Sequence, residues 1–265
     1  MENKELLLQT AVKAAVEAGA AIMNIYEQDF DVITKDDSSP LTQADQDANT
    51  IINKYLVETD IPIISEENKL IEYEQRKQWT HCWIVDPLDG TKEFVKRNGE
   101  FTVNIALVAY GKPVLGVIYV PCYNILYFAD VETAKAYKTT LDSHHVSLQQ
   151  MKDAPEIAPS VDAEVLRIVG SRSHLNDETK EFIDGLVTEK NKEIVSKGSS
   201  LKFCLVAEGA ADVYPRFAPT MEWDTAAGQA ICEAVGVQVV ALPANSPLLY
   251  NKENLLNPWF LVSES

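Results

Sequence analysis

Trp83-Ile84-Val85-Asp86-Pro87-Leu88-Asp89-Gly90-Thr91 is an apolar run that breaks at a proline and ends in two carboxylates, a glycine and a hydroxyl. Its first half carries the aromatic and β-branched residues of a strand. Pro87 blocks a helical continuation and Gly90 permits a tight turn, so Asp86 and Asp89 can converge on one point instead of alternating across a sheet. Hard divalent cations such as Mg²⁺ take oxygen ligands and keep several waters, which suits such a pair better than zinc does. The same D-P-x-D-G string is also good turn chemistry, and alone it leaves both readings open.

Two further segments repeat the theme. Ile61-Pro62-Ile63-Ile64-Ser65-Glu66-Glu67 is another apolar strand ending in adjacent carboxylates. Trp223-Asp224-Thr225-Ala226-Ala227-Gly228 sets an aspartate where an alanine-rich helix begins. Asp224 reads equally as a helix N-cap, a role that does not exclude metal ligation. Asp45 falls in the first turn of a second predicted helix, where a carboxylate favours the helix dipole whatever else it does. Asp45-x-Asp47-x-Asn49 begins like a calcium loop, but Thr50 stands where the glycine should be and the helical apolar pattern runs through.

Together the Glu-Glu pair, D-P-x-D-G-T and W-D with its small-residue helix resemble the inositol monophosphatase superfamily of Mg²⁺-dependent, lithium-sensitive phosphatases. Asp86 to Phe94 followed by Arg97 to Ala106 is similar, within it, to the branch of bacterial 3'(2'),5'-bisphosphate nucleotidases. Gly198-Ser199-Ser200-Leu201-Lys202-Phe203-Cys204 and Tyr214-Pro215-Arg216-Phe217 fit the same branch, and residues 130 to 165 are the least typical.

The resemblance implies a layered αβαβα sandwich and two or three Mg²⁺ ions. Metal ligands would be Glu66, Asp86, Asp89, Asp224 and the Leu88 carbonyl, with Asp86 bridging. Asp45, acting through Thr91, would orient the attacking water, and Glu66 would join them in catalysis. Gly90, Thr91, His174, Gly198, Ser199, Lys202, Arg216 and Asp224 would contact substrate. The implied reaction removes the 3'-phosphate of adenosine 3',5'-bisphosphate, a by-product of sulfate reduction, to give AMP by two-metal activation of water. The rivals are a phosphatase of inositol monophosphate or a sugar bisphosphate and, in another class, a non-catalytic nucleotide sensor. The residues alone read Ser196 to Lys202 either as a routine helix start or as free N–H groups and a lysine facing a phosphate.

The chain has 265 residues, 46% of them hydrophobic, enough for a substantial core in one large domain or two packed subdomains. A formal charge of -17 opposes binding to polymeric nucleic acid, leaving a small anionic nucleotide, met through bound cations, as the expected partner. Cys82, Cys122, Cys204 and Cys232 are dispersed, which argues against a disulfide scaffold or thiolate zinc site and fits a reducing cytoplasm. The sequence shows neither a secretory signal nor an uninterrupted apolar stretch of roughly 18 residues, so no transmembrane segment is expected. It leaves room for a peripheral association at the inner membrane, and for either a monomer or a homodimer.

Apolar periodicity predicts helices over 3–28 and after Thr42, then strands over 101–108, 114–120 and 125–129. After a softer, proline-bearing stretch, strands (165–170, 193–196, 212–216, 237–242) alternate with helices (177–189, 200–208, 224–235). The expected division is an α+β part over 1–138, a connection over 139–162 and an α/β part over 163–265. Trp79 and Trp83 read as core or edge aromatics, and His144-His145 as loop residues.

Overall fold

The computed structural model describes residues 4–28, 32–34, 40–162, 164–170 and 176–264. His174 lies outside the described residues. The chain opens with α1 (Lys4–Tyr26), a short antiparallel pair β1 (Val32–Thr34) and β2 (Pro40–Thr42), and α2 (Gln43–Leu56). Next come β3 (Ile63–Ser65), α3 (Tyr73–Arg76), β4 (His81–Asp89), α4 (Thr91–Val95), β5 (Thr102–Ala109), β6 (Lys112–Val120), β7 (Ile125–Asp130) and β8 (Lys135–Thr140). These strands form one six-stranded sheet in sequence order, antiparallel except for the β3–β4 pair. Tyr110 and Gly111 both hold positive φ in the tight β5–β6 connection, a two-residue hairpin geometry that matches strand twist.

The second half contributes α5 (Leu148–Lys152), β9 (Val165–Gly170), α6 (Asp177–Gly185), β10 (Asn191–Ser196) and α7 (Leu201–Ala207). It closes with β11 (Val213–Arg216), α8 (Glu222–Ala234), β12 (Gln238–Leu242), β13 (Ser246–Pro247) and β14 (Trp259–Ser263). Its sheet runs β10-β9-β11-β14-β12-β13, mixing parallel and antiparallel pairs.

Successive side chains of a strand point to opposite faces, and both faces of the first sheet are used. Val103, Ile105 and Leu107 of β5 join the core formed with α1 and α2, whereas Ala106 and Val108 join the core shared with α7, α8 and the second sheet. A Cβ on Gly116 would stand 2.5 Å from the Ala227 carbonyl oxygen, so glycine is what lets α8 lie directly on β6. With α6 against β11, the order is helix, sheet, helix, sheet, helix, as the resemblance implies. Among the described residues α1 alone is long and apolar enough to cross a membrane, but Ala11, Val12, Ala15, Val16, Ala18 and Ile22 are buried in the first core.

Several elements depart from the sequence expectation. The helix expected over 177–189 ends at Gly185, after which Leu186 is extended. β8, α5 and β14 were not expected. His144 is half-buried, not a free loop residue: its Nδ1 lies 2.7 Å from the Tyr119 hydroxyl, and burial pushes its pKa down. Trp83 is fully buried and donates from Nε1 to Thr59 Oγ1 at 2.9 Å. Cys82, Cys204 and Cys232 are buried free thiols.

Candidate active site

In a regular strand Asp86 and Asp89, three positions apart, would face opposite sides of the sheet. The pairing of β4 with β5 removes the conflict: Asp86 stands opposite Asn104 and Asp89 opposite Thr102, three steps on one strand against two on the other. That extra residue is a β-bulge at Pro87-Leu88, and it turns both carboxylates to one side. The Leu88 N–H donates to Asp86 Oδ1 at 3.1 Å while its side chain is buried in the first core. Gly90, at φ 93°, then makes a turn that a Cβ would strain, and Thr91 opens α4.

Asp224 reaches the same place from α8. It is the third residue of that helix, not its N-cap: the helix starts two residues earlier, at Glu222. From there Asp224 Oδ2 accepts the N–H of Met221 at 2.8 Å, closing the first turn. Below it, the fully buried Glu222 takes Lys252 Nζ at 2.5 Å and the N–H groups of Asn251 and Lys252, which fixes the start of α8.

Asp86, Asp89 and Asp224 each offer an oxygen within 4.8 Å of the others. Burial pushes the Asp86 carboxyl well above its ordinary range, and Glu66, Asp89, Asp224 and Asp45 push it further. Asp224 is pushed up to about 7, first by burial and then by Asp89. The charges that act most on Asp86 are thus all negative. Such a cluster is unfavourable in a low-dielectric setting until a cation enters it. An all-oxygen donor set of carboxylates fits a hard divalent ion.

Glu66 follows β3 directly, its N–H donating to the Val85 carbonyl at 3.2 Å. It is exposed and stands beside the triad, outside the close group, yet its charge reaches both Asp86 and Asp224. Asp45 is buried in the first turn of α2, and α2 runs unbroken through the calcium-like string.

A cavity of about 200 Å³ adjoins the triad, lined by Asp89 and Asp224 together with Ser199, Lys202, Tyr214 and Arg216. Lys202 is buried, with its ammonium 5.8 Å from the centre of the Tyr214 ring and donating to the Ser199 carbonyl at 2.9 Å. Burial lowers its pKa to about 8 against the pull of Asp89. Arg216 donates from Nη2 to the Pro219 carbonyl at 3.3 Å, while its buried Nε has no hydrogen-bond partner. A desolvated ammonium and an orphaned guanidinium N–H in one cavity call for an anion. The expectation of free N–H groups in the loop before α7 needs correcting, because Gly198 N–H goes to Glu100 Oε2 at 2.9 Å and Ser200 N–H to Asp89 Oδ2 at 2.6 Å. The loop therefore offers side chains more than backbone donors.

A larger cavity, about 510 Å³, lies between Leu7, Asp60, Trp79 and His81, but none of its lining residues belongs to the carboxylate cluster. Volume alone would choose the wrong place, since it lacks the convergent charges. Sequence reasoning missed Thr102 and Asn104, which face the site from β5. Their signal was the polar alternation in Phe101-Thr102-Val103-Asn104-Ile105, inside a strand otherwise apolar.

The model of the inositol monophosphatase family matches residues 3–259. The chain is 46% identical over 262 residues to the 3'(2'),5'-bisphosphate nucleotidase CysQ of Shigella flexneri, covering 97% of this chain and 99% of that one. It is 44% identical, with the same coverage, to the CysQ nucleotidase of Escherichia coli strain K12. The crystal structure of CysQ from Bacteroides thetaiotaomicron superposes with a TM-score of 0.88 at 50% identity, covering 98% of both chains.

Proposed function

The chain belongs to the inositol monophosphatase family, and from that premise we propose that it hydrolyses the 3'-phosphate of adenosine 3',5'-bisphosphate to give AMP and phosphate. It is a phosphoric monoester hydrolase of the 3'(2'),5'-bisphosphate nucleotidase type, serving sulfur metabolism, and it depends on a divalent metal. The observation that supports the substrate reading is the pair of cations Lys202 and Arg216 in the cavity that Asp89 and Asp224 also line, where a second phosphate would answer both.

In this reading Asp86, Asp89, Asp224, Glu66 and the Leu88 carbonyl would hold two or three Mg²⁺ ions. When bound, the ions supply electrostatic stabilisation of the phosphoryl group and its attacking and leaving oxygens. Asp45, through the Thr91 hydroxyl, accepts the proton of the attacking water. Gly90 and Thr91 receive the scissile phosphate, and Lys202 and Arg216 hold the other one where Ser199 lines the cavity, with Gly198 shaping the loop. His174 completes the substrate contacts. Residues 1–138 bring most of the metal ligands, and residues 163–265, reached through 139–162, bring Asp224 and the recognition cations. The enzyme works in the cytoplasm.

The test is phosphate release with Mg²⁺ from adenosine 3',5'-bisphosphate, inositol monophosphate and fructose 1,6-bisphosphate. We expect kcat/KM for the nucleotide to exceed the others at least about tenfold, the worth of one good charged contact. Equal values would return the assignment to a general sugar or inositol phosphatase.

A further inference from the structure

Thr102 and Asn104 sit directly across from the two aspartates of β4, Thr102 opposite Asp89 and Asn104 opposite Asp86. Both are withdrawn from solvent, at 0% and 1% exposure. Polar side chains buried in an apolar strand are costly unless their donors and acceptors are met. Here they are met by the loop that leads into α7. Thr102 Oγ1 lies 2.7 Å from Ser199 Oγ, 2.8 Å from Ser200 Oγ and 3.0 Å from Asn104 Oδ1. Ser200 Oγ donates to Asn104 Oδ1 at 2.7 Å. Asp89 Oδ2 in turn receives Ser199 Oγ at 2.7 Å, Ser200 N–H at 2.6 Å and Asn104 Nδ2 at 3.4 Å.

The protons fix a direction. A hydroxyl carries one proton and an ionised carboxylate only accepts, so the Ser199 proton goes to Asp89. In its contact with Thr102, Ser199 can then only accept, as can Asn104 Oδ1, so the single Thr102 proton is shared between these two acceptors. Ser199 also holds φ 55°, in the left-handed region that residues with a Cβ seldom adopt. Its hydroxyl is held from both sides, which keeps the loop in that conformation. With Asp89 Oδ2 supplied by three protein donors, Oδ1 is the oxygen left for a cation.

We propose that Thr102 is a positioning residue that joins Asp89 and the Gly198 to Lys202 loop into one unit, so that affinity for the divalent ion and affinity for the substrate change together. The substrate half rests on the nucleotidase reading; the cation half does not.

Thr102→Val removes the donor at nearly constant volume, and Thr102→Ser keeps it. Magnesium binding is read by calorimetry on substrate-free protein, and KM and kcat by phosphate release from adenosine 3',5'-bisphosphate at saturating Mg²⁺. In Thr102→Val the Mg²⁺ dissociation constant and KM should each rise about fivefold, as expected for one lost hydrogen bond, with kcat changing less than about twofold. Thr102→Ser should recover most of both losses. A valine variant that binds Mg²⁺ as tightly as the parent, or a serine variant that loses as much as valine, overturns the proposal. Should the valine variant fail to fold, Ser199→Ala cuts the same chain one link later, and unchanged Mg²⁺ affinity there also overturns it. If the parent protein does not hydrolyse the nucleotide, the substrate reading falls while the calorimetry still decides the role of Thr102.

Discussion

In the first sheet β4, β5 and β6 are buried almost from end to end, whereas in the second β12 and β14 alternate buried with less buried positions and β10 is exposed over its first four residues. The chemistry divides along the same line. Asp86 and Asp89 project from the doubly covered sheet, while Lys202 and Arg216 come from α7 and β11 in the second half. Mutually repelling carboxylates keep their geometry only in a frame that cannot relax, and a sheet packed on both faces is such a frame. The difference teaches that two of the three clustered carboxylates stand on the layer packed on both faces, while the third and the anion contacts come from the other half of the chain.

Asp86→Asn puts the most pressure on that division. The amide keeps the shape and the oxygen that accepts Leu88 N–H, but it removes the charge at the centre of the cluster. We expect kcat to fall about a thousandfold or more, the scale of losing a principal electrostatic element. Thermal unfolding in chelator should hold or rise, because burial and four negative neighbours already oppose that charge. An active variant, or one that melts well below the parent, would deny the first sheet its role.

Lys202→Met tests the other side and should act on binding alone. The KM for adenosine 3',5'-bisphosphate should rise about 10- to 100-fold, the worth of a charge-assisted hydrogen bond in a dry cavity, with kcat nearly kept. Inositol monophosphate, which brings no second phosphate, should be affected less than about threefold. An equal rise for both substrates would mean that Lys202 serves the scissile phosphate and that the two halves are not divided as argued.

The same contrast decides what could be read from the sequence. Strands buried on both faces are long continuous apolar runs, so β4 to β7 are visible without knowing their neighbours. β14 is a five-residue strand in which Phe260 and Val262 are buried while Trp259 and Leu261 are not, and it sits inside the second sheet between β11 and β12. Only that pairing makes it a strand. α5 carried a legible sign, Ser147 and Gln150 in a capping box, but its five residues are too few for periodicity. The clustered aspartates stand out in the sequence because two end an apolar strand and the third opens an alanine-rich helix. Thr102 and Asn104 show there only as polar breaks in an apolar strand, since their importance lies in the register that sets them across the bulge from Asp89 and Asp86.

The smallest effect is a pH dependence that belongs to the carboxylate cluster. Asp224 is held up to about 7 and Asp86 is also raised, while both return to the ordinary range near 3.8 when the chain unfolds. Below the unfolded value both states are protonated and the full stability is present. As pH rises toward 7 the unfolded chain has released protons that the native site retains, so metal-free protein loses stability through that window. Asp45, Glu66 and Asp89 face these groups with the same sign, and Arg216 offsets Asp224 only in part. A divalent ion reverses the balance by favouring the ionised carboxylates. The melting temperature with Mg²⁺ minus that in chelator should therefore widen by about 3 to 6 °C between pH 5 and pH 8. The widening should shrink in Asp86→Asn and persist in Lys202→Met, since the stored repulsion lies in the carboxylate cluster and not in the recognition cavity. A difference flat in pH, or one that Lys202→Met abolishes, would place the titrating groups outside the carboxylate cluster and break the comparison.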